Sequence, residues 1–191
     1  MFHLNQRGAM FGLDARVAMG IMSAISVIAG AAIFMTISNV RAGGLAKEMQ
    51  EMSVAVEGLH SDLNGNVRNF LTTATDANAF QALWDNGVLN ATGQARWNGP
   101  YLRLNSNTHP SYGGAMTLER RSAADAPGSA CTTGLTCFYN IVVPSVPVDI
   151  LTQLNNTVDG PNETNPSIEG LVQWGNTVNT ATLYYRSVRN I

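Results

Sequence analysis

The chain has 191 residues and a formal net charge of −2, and only 13% of its residues are charged, so it offers no basic surface for nucleic acid. That length allows one domain plus an anchoring segment. With Lys47 as the sole lysine, solubility of the second half rests on Asn, Thr, Ser and Gly rather than on charge.

The N-terminus opens with a short polar stretch, residues 1–9, that includes the basic residue Arg7 and ends in the small residues Gly8 and Ala9. Asp14 and Arg16 follow, and Val17 to Ile37 then runs without a charge. As a helix at about 1.5 Å per residue, that run spans roughly 31 Å. A hydrocarbon core is about 30 Å thick, so the run is long enough to cross a bilayer. A carboxylate at the edge of such a span is costly unless it finds a partner, and a plain anchor has no need of one. Within the span, small residues recur four apart at Gly20 and Ala24 and at Ser26 and Gly30, a spacing that lets helix backbones approach closely.

This arrangement resembles a type IV prepilin: a short leader with a basic residue, a small residue at the cut, an acid about five residues on, and a long apolar helix. A cut after Ala9 makes Met10 the first residue and Asp14 the fifth, which is similar to the type IVb pilins. The family has Gly immediately before the cut, whereas here Gly8 stands one residue earlier, and its acid is usually Glu, whereas here it is Asp. A cut after Gly8 leaves Asp14 as the sixth residue, so both bonds stay open.

The resemblance implies a leader over 1–9, a transmembrane and filament-core helix over 10–40, and a globular head over 41–191. It implies cleavage by a prepilin peptidase at Gly8, Ala9 and Met10. Subunits would then wait in the inner membrane until pilus assembly machinery draws them into an extracellular helical filament of identical subunits. Asp14 would neutralise the new α-amino group of a neighbouring subunit. A minor pilin or a secretion-system pseudopilin fits the same residues. So does a membrane-anchored or secreted binding domain that never polymerises. Ala29-Gly30-Ala31 could serve as the cleavage site of an ordinary secretory signal.

From Leu45 the pattern becomes amphipathic. Leu45, Met49, Met52, Val56, Leu59 and Leu63 recur at spacings of four and three, which lays one apolar stripe along a helix. Val67, Phe70 and Leu71 extend the stripe. A short second helix is expected over Asp76 to Asn86, with Phe80, Leu83 and Trp84 as its apolar face, a cap at Thr75 or Asp76, and Gly87 as its end. Residues 93–114 read as loop. Within them, Trp97-Asn98-Gly99-Pro100-Tyr101 resembles a turn of pilins and pseudopilins where a loop enters the sheet.

Strands are expected over Ala115 to Arg121 and over Phe138 to Val143, the latter stopped by Pro144. A third helix is expected over Val148 to Val158, with Val148, Leu151, Leu154 and Val158 on one face and Gly160-Pro161 at its end. The last strands are Leu171 to Trp174 and Thr180 to Val188, with Tyr184 and Tyr185 on opposite faces. The fold class is therefore α+β: a long N-terminal helix, half of it apolar throughout, whose amphipathic half packs on a small antiparallel sheet.

The only two cysteines, Cys131 and Cys137, are separated by a short turn containing a glycine. An even count in an exported chain points to a disulfide between them. No second cysteine pair or nearby histidine accompanies them, so a metal site is not expected. His3, His60 and His109 lie in unlike contexts, and the acids around Glu48 and Glu51 read as a solvated helix face. No catalytic constellation and no cofactor motif is expected, and the chain reads as a structural subunit rather than an enzyme.

Overall fold

The computed structural model describes residues 7–122, 131, 137–161, 170–175 and 179–190. The chain divides into two compact units, Met1–Val40 and Arg41–Ile191. Helix α1, Arg7–Leu63, is continuous through the boundary between them.

In the first unit α1 carries no charge on any side from Val17 to Val40. From Val17 to Val40 its large apolar side chains are between 45% and 73% exposed. The helix is long and apolar enough to cross a membrane, with a mean hydropathy of 2.2 over its most apolar stretch. The few hydroxyls here do not stay open. Ser23 donates to the Gly20 carbonyl at 2.8 Å, Ser26 to Met22 at 2.8 Å and Thr36 to Ala32 at 2.9 Å. Hydrogen bonds of this kind let a hydroxyl sit in hydrocarbon without a lost partner.

In the second unit the character of α1 reverses. Leu45, Met49, Met52, Val56, Leu59 and Leu63 are all at most 3% exposed, and Ala42 and Ala55 join them. Each fully buried Leu or Met adds about 1.5–3 kcal/mol of transfer free energy before entropic costs. The helix stops where Asn64 (φ 50°) and Gly65 (φ 151°) take positive φ, which L side chains other than Asn and Asp seldom adopt. The apolar stripe therefore continues into the core without the helix. Val67 and Leu71 are buried, but Val67–Phe70 forms a separate 3-10 turn capped by Asn66.

Helix α2, Asp76–Gln81, is shorter than the expected Asp76 to Asn86. Thr75 is its cap, with its hydroxyl accepting from the Asn78 amide at 3.1 Å. Phe80 and Leu83 are fully buried, and Trp84 meets Phe80 edge to face at 5.5 Å. Gly87 does not end this helix; it lies in a second 3-10 turn, Asn86–Val88, capped by Asp85. Helix α3, Ala91–Arg96, occupies a stretch expected to be mostly loop. Its cap is Asn90, whose side chain accepts from the Gly93 amide at 2.9 Å.

Among the described residues, four strands form one antiparallel sheet in the order β1-β2-β4-β3. They are β1 Thr117–Ser122, β2 Cys137–Pro147, β3 Val172–Trp174 and β4 Thr180–Asn190. Pro144 does not stop β2. The ladder to β4 shifts register between Val143 and Val146, and Ser145 has φ 62°, so the proline rides on a bulge that spares its missing N–H. The central strands send Tyr139, Ile141, Val143 and Leu183 into the core. Tyr185 faces that core while Tyr184, its neighbour, lies on the other face beneath the Arg121 guanidinium at 4.6 Å. Helix α4, Val148–Val158, has the expected bounds and buries Ile150, Leu151 and Leu154. Asp159 and Gly160 (φ 98°) close it with amides donated to the Asn155 carbonyl.

The amphipathic part of α1 is tied to the sheet by polar contacts as well as packing. Ser53 and Ser187 hydroxyls meet at 2.8 Å. Tyr139 donates to Asn66 at 3.0 Å and accepts from the Val67 amide at 2.9 Å. The architecture is the expected α+β one, a long helix on a small antiparallel sheet.

Candidate functional site

The predicted processing and assembly residues lie at the start of α1. Gly8, Ala9 and Met10 belong to its first turns, and His3 lies outside the described residues. Asp14, one turn after Met10, is exposed on the helix. An exposed carboxylate beside an apolar circumference is stable in water and costly in hydrocarbon.

The cysteine pair closes the far end of the β1–β2 hairpin. Cys131 and Cys137 stand at disulfide distance, with Cα atoms 5.9 Å apart. Cys137 is the register partner of Ser122 at the end of β1. The rest of that turn lies outside the described residues.

The Trp97–Tyr101 segment is a clamp on the domain. The Trp97 indole donates to the Ala82 carbonyl at 2.8 Å, and the Tyr101 and Leu102 amides donate to the Leu83 carbonyl. Trp97 and Tyr101 pack edge to face at 5.8 Å. Any Cβ at Gly99 would stand 2.6 Å from the Trp97 ring, so only glycine fits between the aromatics. The Tyr101 ring rests on Gly58, and its hydroxyl donates to Asp62. Burial, then that hydrogen bond and the Asp62 charge, push the Tyr101 hydroxyl up to about 12.

A cleft of about 500 Å³ lies along the first turns of α1 in the second unit, lined by Arg41, Leu45, Glu48, His109, Ser111 and Tyr112. His109 is 1% exposed. Its Nδ1 accepts from the backbone amides of Ser111 and Tyr112 at 3.1 and 3.3 Å, so Nδ1 carries no proton and Nε2 does. That Nε2 lies 3.4 Å from the Glu48 carboxylate yet makes no hydrogen bond. Burial first, then the Glu48 charge, raise the Tyr112 hydroxyl above its ordinary range; Arg41 pulls it down and Asp149 adds to the rise. Glu48 is therefore not simply a residue of a solvated face, because a buried histidine from a distant loop faces it. Sequence spacing gave no signal for this pairing.

Among the described residues, no group of three or more His, Cys, Asp or Glu side chains gathers as a metal site. Fold and surface define an α+β protein with, among the described residues, one helix apolar and long enough to span a membrane. The chain matches no known family model, no curated protein and no solved structure.

Proposed function

We propose that the chain is a structural subunit of a type IV pilus-like extracellular filament. It is held in the inner membrane by α1, cleaved by a prepilin peptidase, and polymerised through the apolar part of that helix. The reading rests on the resemblance of residues 1–60 and on one structural observation. A single unbroken helix is uncharged and mostly apolar around its circumference from Val17 to Val40 and amphipathic after Leu45. A segment of the first kind cannot remain in water, and bundling it with copies of itself removes that surface when it leaves the bilayer. Asp14 adds the specificity. Cleavage creates a cationic α-amino group, and a neighbour's carboxylate at that depth compensates a charge that would otherwise be buried alone. The domain contributes the outer surface of the filament, with no catalytic role.

The test is electron microscopy of sheared surface material combined with mass spectrometry of the subunit N-terminus. Filaments built of this chain and starting at Met10 or Ala9 are expected. A chain starting at Ala32 with no filaments indicates a secretory signal, and an intact Met1 with no filaments indicates a plain membrane anchor. Either outcome contradicts the proposal.

A further inference from the structure

The cleft at Arg41 has two opposite charges with an open gap between them. Arg41, Gly44 and Glu48 lie at spacings of three and four on α1, so they share one helix face. Gly44 is the middle position, and a Cβ built there meets nothing within 4 Å. Arg41 is exposed and makes no ion pair among the described residues. The Nε2 of His109, a residue 99% buried, stands 3.4 Å from one oxygen of the Glu48 carboxylate and makes no hydrogen bond. A bound cationic donor would give that carboxylate a hydrogen bond and a charge partner. Tyr112 lines the same cleft, within electrostatic reach of both charges.

An anion alone satisfies Arg41 but is repelled by Glu48, and a cation alone meets the reverse problem. A zwitterion satisfies both. Arg41 is also the first charged residue after the run Val17 to Ile37, so in a membrane it stands at headgroup depth.

We propose that this cleft binds a phosphoethanolamine group, with the phosphate on the Arg41 guanidinium and the primary ammonium on the Glu48 carboxylate, supplied by the headgroup of a membrane phospholipid. His109 stands beside the carboxylate on its buried side, and Gly44 leaves room for the group against the helix. The choice of a lipid as source rests on the reading of α1 as a membrane span; the chemistry of the cleft does not.

The full-length chain in detergent is exchanged into nanodiscs of equal parts phosphatidylethanolamine, phosphatidylglycerol and phosphatidylcholine. Retained lipids are counted by native mass spectrometry, with near-ultraviolet circular dichroism as the fold control. Phosphatidylethanolamine should be retained over the other two by about fivefold, the scale of one solvent-accessible ion pair. Arg41→Gln should lower its retention. Glu48→Gln should abolish its preference over phosphatidylglycerol. Gly44→Leu, which the helix tolerates, should fill the gap and release the lipid. Equal retention of all three lipids, or a preference for phosphatidylglycerol in the unaltered chain, overturns the lipid assignment.

Soluble O-phosphoethanolamine, added to the chain in detergent, separates the sources. Saturable binding lost in Glu48→Gln supports the cleft's chemistry even if lipids show no preference, and then the source is a free phosphoester. No binding of either probe overturns the site. A chain that stays in the aqueous phase without detergent overturns the membrane reading, and the soluble arm still decides the cleft.

Discussion

Tyr101 donates its hydroxyl hydrogen to the carboxylate of Asp62, joining a loop to the last turn of α1 across 39 residues of sequence. The Tyr101 ring lies against Gly58, one turn earlier on the same helix, so a single side chain grips two successive turns. The loop that carries it is fixed in turn by the Trp97 indole and by two amides on Leu83.

The first prediction concerns this grip and alkali. The folded chain holds the Tyr101 proton up to about 12, against 10.0 for an ordinary tyrosine, mainly through burial and then through Asp62. The folded state therefore binds the proton more tightly than the unfolded state. The contribution is fully present below the ordinary value and is lost as pH rises through the folded value. Tyr101→Phe should flatten the fall in stability between those two points and leave neutral-pH stability lower by about 1 kcal/mol, the net value of one hydrogen bond. Denaturant titrations at neutral and alkaline pH check this; an unchanged alkaline slope contradicts it.

The second concerns the stripe on α1. Leu59 is fully buried, whereas Val54, one turn and a residue earlier, is 63% exposed. Leu59→Ala should destabilise the domain by about 2–5 kcal/mol through lost burial and a cavity. Val54→Ala should stay within about 0.5 kcal/mol. Near-ultraviolet circular dichroism of the full chain during denaturant unfolding reads both. Equal effects would mean the stripe does not face the core.

The third concerns Cys131 and Cys137, which should be joined. Alkylation without prior reduction, followed by intact-mass measurement, should find no modified thiol. For so small a loop the bond should contribute about 2–3 kcal/mol. Two alkylated thiols would refute the bond.

Much of the fold was legible because it obeys local rules. The positions from Leu45 to Leu63 repeat at helical spacing and are all buried, Thr75 caps α2, and the bounds of α4 follow from its apolar face and Gly160. Where reading failed, a local signal was weak or was overruled. Helix α3 buries only Gly93, so it has no periodicity to read; its cap at Asn90 was the one available sign. Pro144 reads as a strand breaker, but a bulge at Ser145 absorbs it. The Asp62–Tyr101 and Glu48–His109 pairs were illegible for a different reason. Each joins α1 to a loop far along the chain, and no spacing rule connects residues that only tertiary packing brings together. The resemblance at residues 8–14 speaks to assembly between subunits, a property that one chain's fold does not display.

Asp14 tests that property most directly, since it separates an assembling subunit from an anchor. Asp14→Ala and Asp14→Asn should leave the domain folded, because the core lies among residues from Ala42 onward. They should also leave membrane insertion intact, since each makes the span less charged. The measurement is filament yield in sheared fractions from the unaltered chain and from Asp14→Ala, Asp14→Asn and Asp14→Glu, with the membrane pool as the expression control. Filaments are expected from the unaltered chain, few or none from the Ala and Asn variants, and the best-preserved yield from Asp14→Glu. Normal filaments from both neutral variants, or none from the unaltered chain, would contradict this.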